Sequence, residues 1–211
     1  MKKVLYLVVI AAAFSACSKK NNTPPAPVPA SVVISGTTYP TVVIGSQTWT
    51  SLNYNGPGGE NYNNSATDIA ADGKLYTMAE AQAITLPAGW RLPIAADYNQ
   101  LLQGLGGTLV GSSPTNYGVS QTVALELMSA SGWTGDNGNN QLGFNARPVG
   151  YYSGSATQFL RAGTDAFFII STTGIDINIP LSLDVSLDQT AVNYYMDGTD
   201  NRLSLRFVKD N

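Results

Sequence analysis

Pro87-Ala88-Gly89-Trp90-Arg91-Leu92-Pro93 runs straight into Ile94-Ala95-Ala96-Asp97-Tyr98-Asn99-Gln100-Leu101-Leu102-Gln103-Gly104-Leu105. In the second half, Ile94, Tyr98, Leu101, Leu102 and Leu105 recur at +4, +7, +8 and +11. That spacing draws one apolar stripe along a helix. Pro93 suits the first turn, and Gly106-Gly107 supplies the stop. Upstream, Tyr76 to Ile84 favours helix through Met, Ala, Glu and Gln. Downstream, residues 121–130 form a third, weaker helix.

Strands lie on both sides of this helical stretch. Val32-Val33-Ile34 and Val42-Val43-Ile44-Gly45 read as short strands, and Gln47 to Asn53 extends the second pairing. Residues 55–73 and Ser131 to Gly143 are rich in Gly, Asn and Asp and read as loop. Ala166 to Ile170 reads as a buried strand. From Ile175 to Asp188 apolar and polar residues alternate strictly, the period of a sheet with one wet face. Val192 to Met196 and Leu203 to Val208 are expected to close the domain as a hairpin around Asp197-Gly198. Helices early and most strands late predict a single α+β domain. Two to three helices would pack on mostly antiparallel sheet.

Cys17 is the only cysteine, and it follows Met1-Lys2-Lys3, an apolar run from Val4 to Phe14, and Ser15-Ala16. Basic start, apolar run and small residues before a cysteine predict a bacterial lipoprotein leader. The run is about eleven residues, whereas a membrane-spanning helix needs roughly 20. Residues 1–16 are expected to be removed and Cys17 to carry the lipid. Residues 17–30 would then be a Pro-rich tether, reaching about 40 Å at roughly 3.1 Å per residue. The folded domain would span 31–211. The expected location is the outer membrane. Ser18-Lys19-Lys20-Asn21-Asn22 lacks acidic residues, which favours the periplasmic face over the cell surface.

Composition excludes several functions. The chain has 11 basic and 14 acidic residues and no histidine. Four of the basic residues precede the domain, so its surface is acidic and unsuited to nucleic acid, whose binding depends on neutralising phosphates. Without histidine there is no Ser-His-Asp or Cys-His catalysis and no imidazole metal site. With Cys17 lipidated there is no thiolate chemistry. No phosphate loop, dinucleotide fingerprint or EF-hand loop occurs.

Several segments carry a resemblance in their order and spacing. They are Ile44-Gly45-Ser46-Gln47-Thr48-Trp49, Leu75-Tyr76-Thr77-Met78-Ala79-Glu80-Ala81, and Pro87 to Pro93. Ser131-Gly132-Trp133 with Gly135-Asp136-Asn137 follows, then Gly143-Phe144-Asn145-Ala146-Arg147-Pro148 and Leu205-Arg206-Phe207-Val208-Lys209-Asp210. Over roughly residues 40–210 the chain resembles the Fibrobacter succinogenes major paralogous domain family. The resemblance implies an exported protein with a C-type-lectin-like fold and leaves the biochemical role open. Relatives often carry cysteines where Leu86 and Phe207 stand here. The resemblance therefore implies that these two apolar residues lie against each other. Relatives also often place Ser or Thr at Ile94 as a helix cap, worth about 1 kcal/mol.

Three kinds of site can be weighed. A lectin-type calcium site needs six to eight oxygens, and its Glu-Pro-Asn and Trp-Asn-Asp motifs are missing. Asp136 and Asn137, after Trp133, are a loose echo that reads better as turn bracing. A carboxylate glycoside hydrolase could pair Asp136 with Glu126 or Asp97, but nothing in the sequence brings them together. The Gly-Trp-Arg-Leu-Pro segment is also similar to formylglycine-generating enzymes, whose active-site cysteines have no counterpart here.

The third candidate is an aromatic surface. Tyr54, Tyr62, Tyr117, Trp133, Tyr151 and Tyr152 lie in Gly/Asn-rich surroundings, where flat rings bury area at little entropic cost. If 151–152 is extended, the two rings point to opposite faces. Trp49 and Trp90 read as core. The expectation is a lipid-anchored envelope binding or adhesion module for a glycan or envelope protein. It would have no catalytic residues, metal or cofactor. Candidate ligand residues are Tyr62, Trp133, Asp136, Asn137, Tyr151 and Tyr152. A purely structural envelope component is the alternative.

Overall fold

The computed structural model describes residues 30–64, 72–109, 117–171, 181–185, 190–193 and 200–211. Cys17, the tether through residue 29, Tyr194-Tyr195 and the turn at Asp197-Gly198 lie outside them. So does most of the alternating stretch from Ile175 to Asp188.

The chain opens with β1 (Ser31–Ile34), β2 (Thr37–Ile44) and β3 (Gln47–Thr50). Two-residue turns join them. Ser35 and Gly36 both have positive φ, 49° and 81°, the backbone that matches strand twist in a tight hairpin. After β4 (Leu75–Tyr76) come α1 (Met78–Gln82) and α2 (Ala95–Gly104). Then follow β5 (Thr108–Leu109), β6 (Tyr117–Val119) and α3 (Gln121–Leu127). β7 (Tyr151–Ser153), β8 (Gln158–Leu160) and β9 (Ala166–Ile170) precede β10 (Leu181–Val185) and β11 (Thr190–Asn193). β12 (Leu203–Ser204) and β13 (Val208–Asp210) end the chain.

These elements form one α+β domain. One sheet has the order β1-β2-β3-β13, a second β4-β12-β9-β10-β11-β6-β5, and β7-β8 stand as a hairpin. Pairing is antiparallel except between β12 and β9. The last strand lies against the third, with Val208 opposite Trp49, so both ends of the domain share one sheet.

The expected closing hairpin is not formed. β11 pairs with β10 and β6, while β12 lies between β4 and β9. The reason is burial on both faces of β9. Ala166, Phe168 and Ile170 join one apolar cluster, with Trp49, Tyr98, Leu102 and Leu127. Phe167 and Ile169 join another, with Tyr54, Tyr76, Leu203, Leu205 and Phe207. The alternating Leu203, Leu205 and Phe207 are drawn to the second cluster, where a solvent-side hairpin could not bury them. Leu86 packs against that same cluster, of which Phe207 is a member.

Two polar constructions lock the closure. At α2, the N-cap Ile94 has no side-chain oxygen to offer, but its N–H donates to the Asp97 carboxylate at 2.7 Å, the reciprocal half of a capping box. The same carboxylate pairs with Arg91 and accepts from Gln47 Nε2 at 2.7 Å. Arg91 also reaches Asp210 at 3.0 Å. Below, Arg206 is fully buried. Its guanidinium donates to Asn53 Oδ1 and to the carbonyls of Thr50, Phe144 and Asn145, at 2.7–2.9 Å. It also lies over the rings of Phe144 and Phe168. Burial pushes its pKa down to about 9, which leaves it protonated at neutral pH.

Candidate ligand-binding surface

The structure separates the six candidate residues into two groups. Trp133 is 8% exposed and belongs to the core. Its Nε1 donates to Ser129 Oγ at 3.0 Å, and its backbone N–H donates to Asn137 Oδ1 at 3.2 Å. Asn137 therefore braces a turn, and Trp133 offers no open ring to a ligand. Asp136 is exposed in the same loop. Arg147 ties that loop down, reaching Asp72 at 2.7 Å and Ser131 Oγ at 3.1 Å. Tyr54 is likewise core, packed among Tyr39, Tyr76 and Phe207. Glycine-rich surroundings mark where the backbone turns, not where the side chain points.

Tyr62 and Tyr152 behave differently. The β7–β8 hairpin sets Tyr152 directly opposite Phe159, with ring centroids 5.0 Å apart and edge to face, a favoured cross-strand pair. Tyr62 arrives from a 3₁₀ turn at Tyr62–Asn64, and its ring also lies 5.0 Å from Phe159. All three are half-buried. Tyr151 points to the other face, onto Phe167, as strand alternation requires. It is a support for the surface and not part of it. Phe159 was missed by the sequence reading. The signal was available, since Tyr151-Tyr152-Ser153 and Gln158-Phe159-Leu160 flank a short turn around Gly154.

The loop carrying Tyr62 is pinned from below. A Cβ on Gly59, whose φ is +66°, would come within 2.6 Å of the Tyr76 ring, so the approach requires glycine. The Gly59 N–H donates to Glu80 Oε1 at 3.2 Å, and Glu60 exchanges two backbone hydrogen bonds with Leu75. Glu80 closes the capping box of α1, accepting from the Thr77 N–H and hydroxyl at 2.9 Å. Burial acts to raise the Glu80 pKa. The hydrogen bonds from Thr77, Gly59 and Arg202 outweigh it and hold the carboxyl below its ordinary value.

Arg202 links loop and hairpin. Its backbone pairs with Tyr152 through two hydrogen bonds of 3.0 Å. Its guanidinium reaches Glu80 at 2.7 Å and Glu60 at 3.5 Å. Three rings thus form a ledge, bordered by an arginine held between two carboxylates. Asn61 lies next to Tyr62, and its Oδ1 is buried without a hydrogen-bond partner among the described residues. Two other such atoms, Trp49 Nε1 and Tyr98 OH, belong to core rings 5.0 Å apart.

Other places offer less. A cavity between β2, β3 and α2, lined by Ser46, Gln47, Gln100 and Leu105, has a volume of about 40 Å³. That holds water rather than an organic ligand. Asp97 has both carboxylate oxygens committed to Arg91, Gln47 and Ile94, so it is not free for acid–base work. Among the described residues no group of three acidic, histidine or cysteine side chains could hold a metal ion. No helix among them is long and apolar enough to cross a membrane.

No curated protein and no solved structure matches the chain. A family does match, from the second strand through the last, over residues 42–209. The matched span includes the Arg91–Asp97 clasp, the buried Arg206 and the whole aromatic ledge. The chain belongs to the Fibrobacter succinogenes major domain family.

Proposed function

We propose that this chain is a lipid-anchored, non-catalytic binding module of the cell envelope. Its ligand surface is the Tyr62–Phe159–Tyr152 ledge. One observation carries this reading: tyrosines from distant parts of the chain meet on one phenylalanine and stay half-open to solvent. Tyr54 and Tyr76, by contrast, are covered by the core. Amphipathic rings left accessible suit adaptable recognition. The anchoring rests on the leader pattern ending at Cys17. Several acyl chains there would hold the domain stably at the outer membrane, on the periplasmic face, since one chain alone binds only marginally.

Sedimentation with purified envelope fragments from the cells that make the protein tests the binding. The soluble domain is expected to co-sediment, and the double variant Tyr62→Ala, Tyr152→Ala to remain in the supernatant. Equal sedimentation of both forms counts against the ledge. Mass spectrometry of the native protein tests the anchor, with acylated Cys17 at the mature N-terminus as the expected result.

A further inference from the structure

We propose that the Tyr62–Phe159–Tyr152 ledge docks a basic segment of another envelope protein, with an arginine or lysine side chain laid across the rings and its charge held by Glu60. This rests on the binding-module reading above and names the partner's chemistry.

Two neighbours place Glu60 at the rings. It stands two residues before Tyr62, and its carboxylate lies 3.5 Å from the Arg202 guanidinium. Arg202 is bridged to Tyr152 as an antiparallel pair, which sets those two side chains on one face. Of the two carboxylates on Arg202, Glu80 is the committed one. It lies at 2.7 Å and also accepts from Thr77 and Gly59. Glu60 is held loosely and keeps 42% of its side chain exposed, so it can turn to a second cation. Toward the hairpin turn, Asp200 is exposed and lies against Gly154. The other cation nearby, Lys74, is turned onto the carbonyls of Gly56 and Gly58 at 3.2 and 3.1 Å. Three carboxylates thus stand against two cations, and both cations are engaged.

The same imbalance runs over the domain. Residues 31–211 hold seven basic side chains against fourteen acidic ones. Arg91, Arg147, Arg161 and Arg202 are paired with carboxylates, and Arg206 is buried. Such a surface repels phosphate, carboxylate and anionic lipid, and it draws in a basic partner. The rings supply the contact that charge alone lacks. A guanidinium can stack on a tyrosine face while its fork meets a carboxylate. The rings also pack on one another with centroids 5.0 Å apart, which fills the space between them and leaves a surface rather than a pocket. That suits a chain segment lying across it better than a small molecule, which needs enclosure.

The test measures binding of the full chain, kept in neutral detergent, to three labelled peptides: four repeats of Gly-Ser-Arg, of Gly-Ser-Gln and of Gly-Ser-Glu. Fluorescence anisotropy is expected to show binding of the arginine peptide alone, weakening as salt rises. Tyr62→Ala and Tyr152→Ala should each weaken it by about threefold to tenfold, and Tyr62→Phe should keep most of it, since stacking resides in the ring. Glu60→Gln leaves the backbone pairing of residue 60 with Leu75 intact, so it tests the charge in a folded protein. It should cost a similar factor, and Glu60→Lys should abolish binding. Asp136→Asn, in a different exposed loop, should change nothing. Equal binding of all three peptides overturns the proposal. So does arginine-peptide binding that is unmoved by Glu60→Lys, or weakened as much by Asp136→Asn as by Glu60→Gln. Envelope fragments separate this from the broader reading. Ledge-dependent sedimentation that persists in excess arginine peptide removes the basic partner and leaves the module. Absence of ledge-dependent binding to fragments and peptides alike removes both.

Discussion

Arg202 and Arg206 stand four residues apart, and their surroundings differ in kind. Arg206 is fully buried, and its guanidinium is held by neutral oxygens. Three backbone carbonyls and one asparagine oxygen take its protons, and two phenylalanine rings take its faces. Arg202 keeps 22% of its side chain exposed and sits between two carboxylates. The first arginine joins Thr50–Asn53, Phe144–Asn145 and the segment between β12 and β13 in one place. The second joins a loop to a hairpin at the rim of the ledge. Interior charge here is spent on stability, because a buried cation must have every donor met. At the rim, paired charge mainly orients the rings beside it, because exposed ion pairs contribute little by themselves.

Four measurements would break or sharpen this contrast. The largest effect is expected for Arg206→Met. It leaves buried carbonyls without donors and should cost about 3–5 kcal/mol. For a domain of this size that lowers Tm by roughly 10 °C or more. A calorimetric shift of only a degree or two would mean that the carbonyls find other donors. Asp97→Asn comes next. It weakens the pair with Arg91 and the bond from the Ile94 N–H, at a cost of about 1–3 kcal/mol, readable in urea unfolding.

The third measurement is a pH profile of stability for Glu80→Gln. The folded pKa of Glu80 lies below its ordinary value, near 4.3 when unfolded. Its contribution is therefore complete above about pH 4.3 and is lost as pH falls through the depressed folded value. The variant should show a flatter acid limb than wild type, and an identical limb would remove Glu80 from the rim's support. The smallest stability effect is expected at the ledge itself. Tyr62→Ala should cost about 1 kcal/mol, the worth of one exposed aromatic pair. A loss as large as that of Arg206→Met would make the ledge a part of the core.

Much of the fold was legible because it is local. The apolar stripe from Ile94 to Leu105 became α2, at Ala95–Gly104, since periodicity and a glycine stop act within one segment. The first three strands followed for the same reason. The closing hairpin was misread because apolar alternation in Leu203, Leu205 and Phe207 says that a face is buried without saying against what. The ledge was half legible. Tyr62 and Tyr152 were singled out for their polar loops, and the same rule selected Trp133 and Tyr54, which are buried. Exposure depends on packing partners distant in the chain, which loop composition does not encode.

By itself, the sequence determined an α+β domain with its helices before most of its strands, and a family whose motifs are spaced along residues 42–209. Those follow from local periodicity and from residue order, which every segment carries within it. The tertiary structure alone decided which strand lies beside β9, which aromatic rings remain open, and that Phe159 draws Tyr62 and Tyr152 together. It also decided that Arg206 is locked in the core while Arg202 stands at the rim. The two arginines belong to the same short segment, and only the residues arriving from elsewhere in the chain make them different.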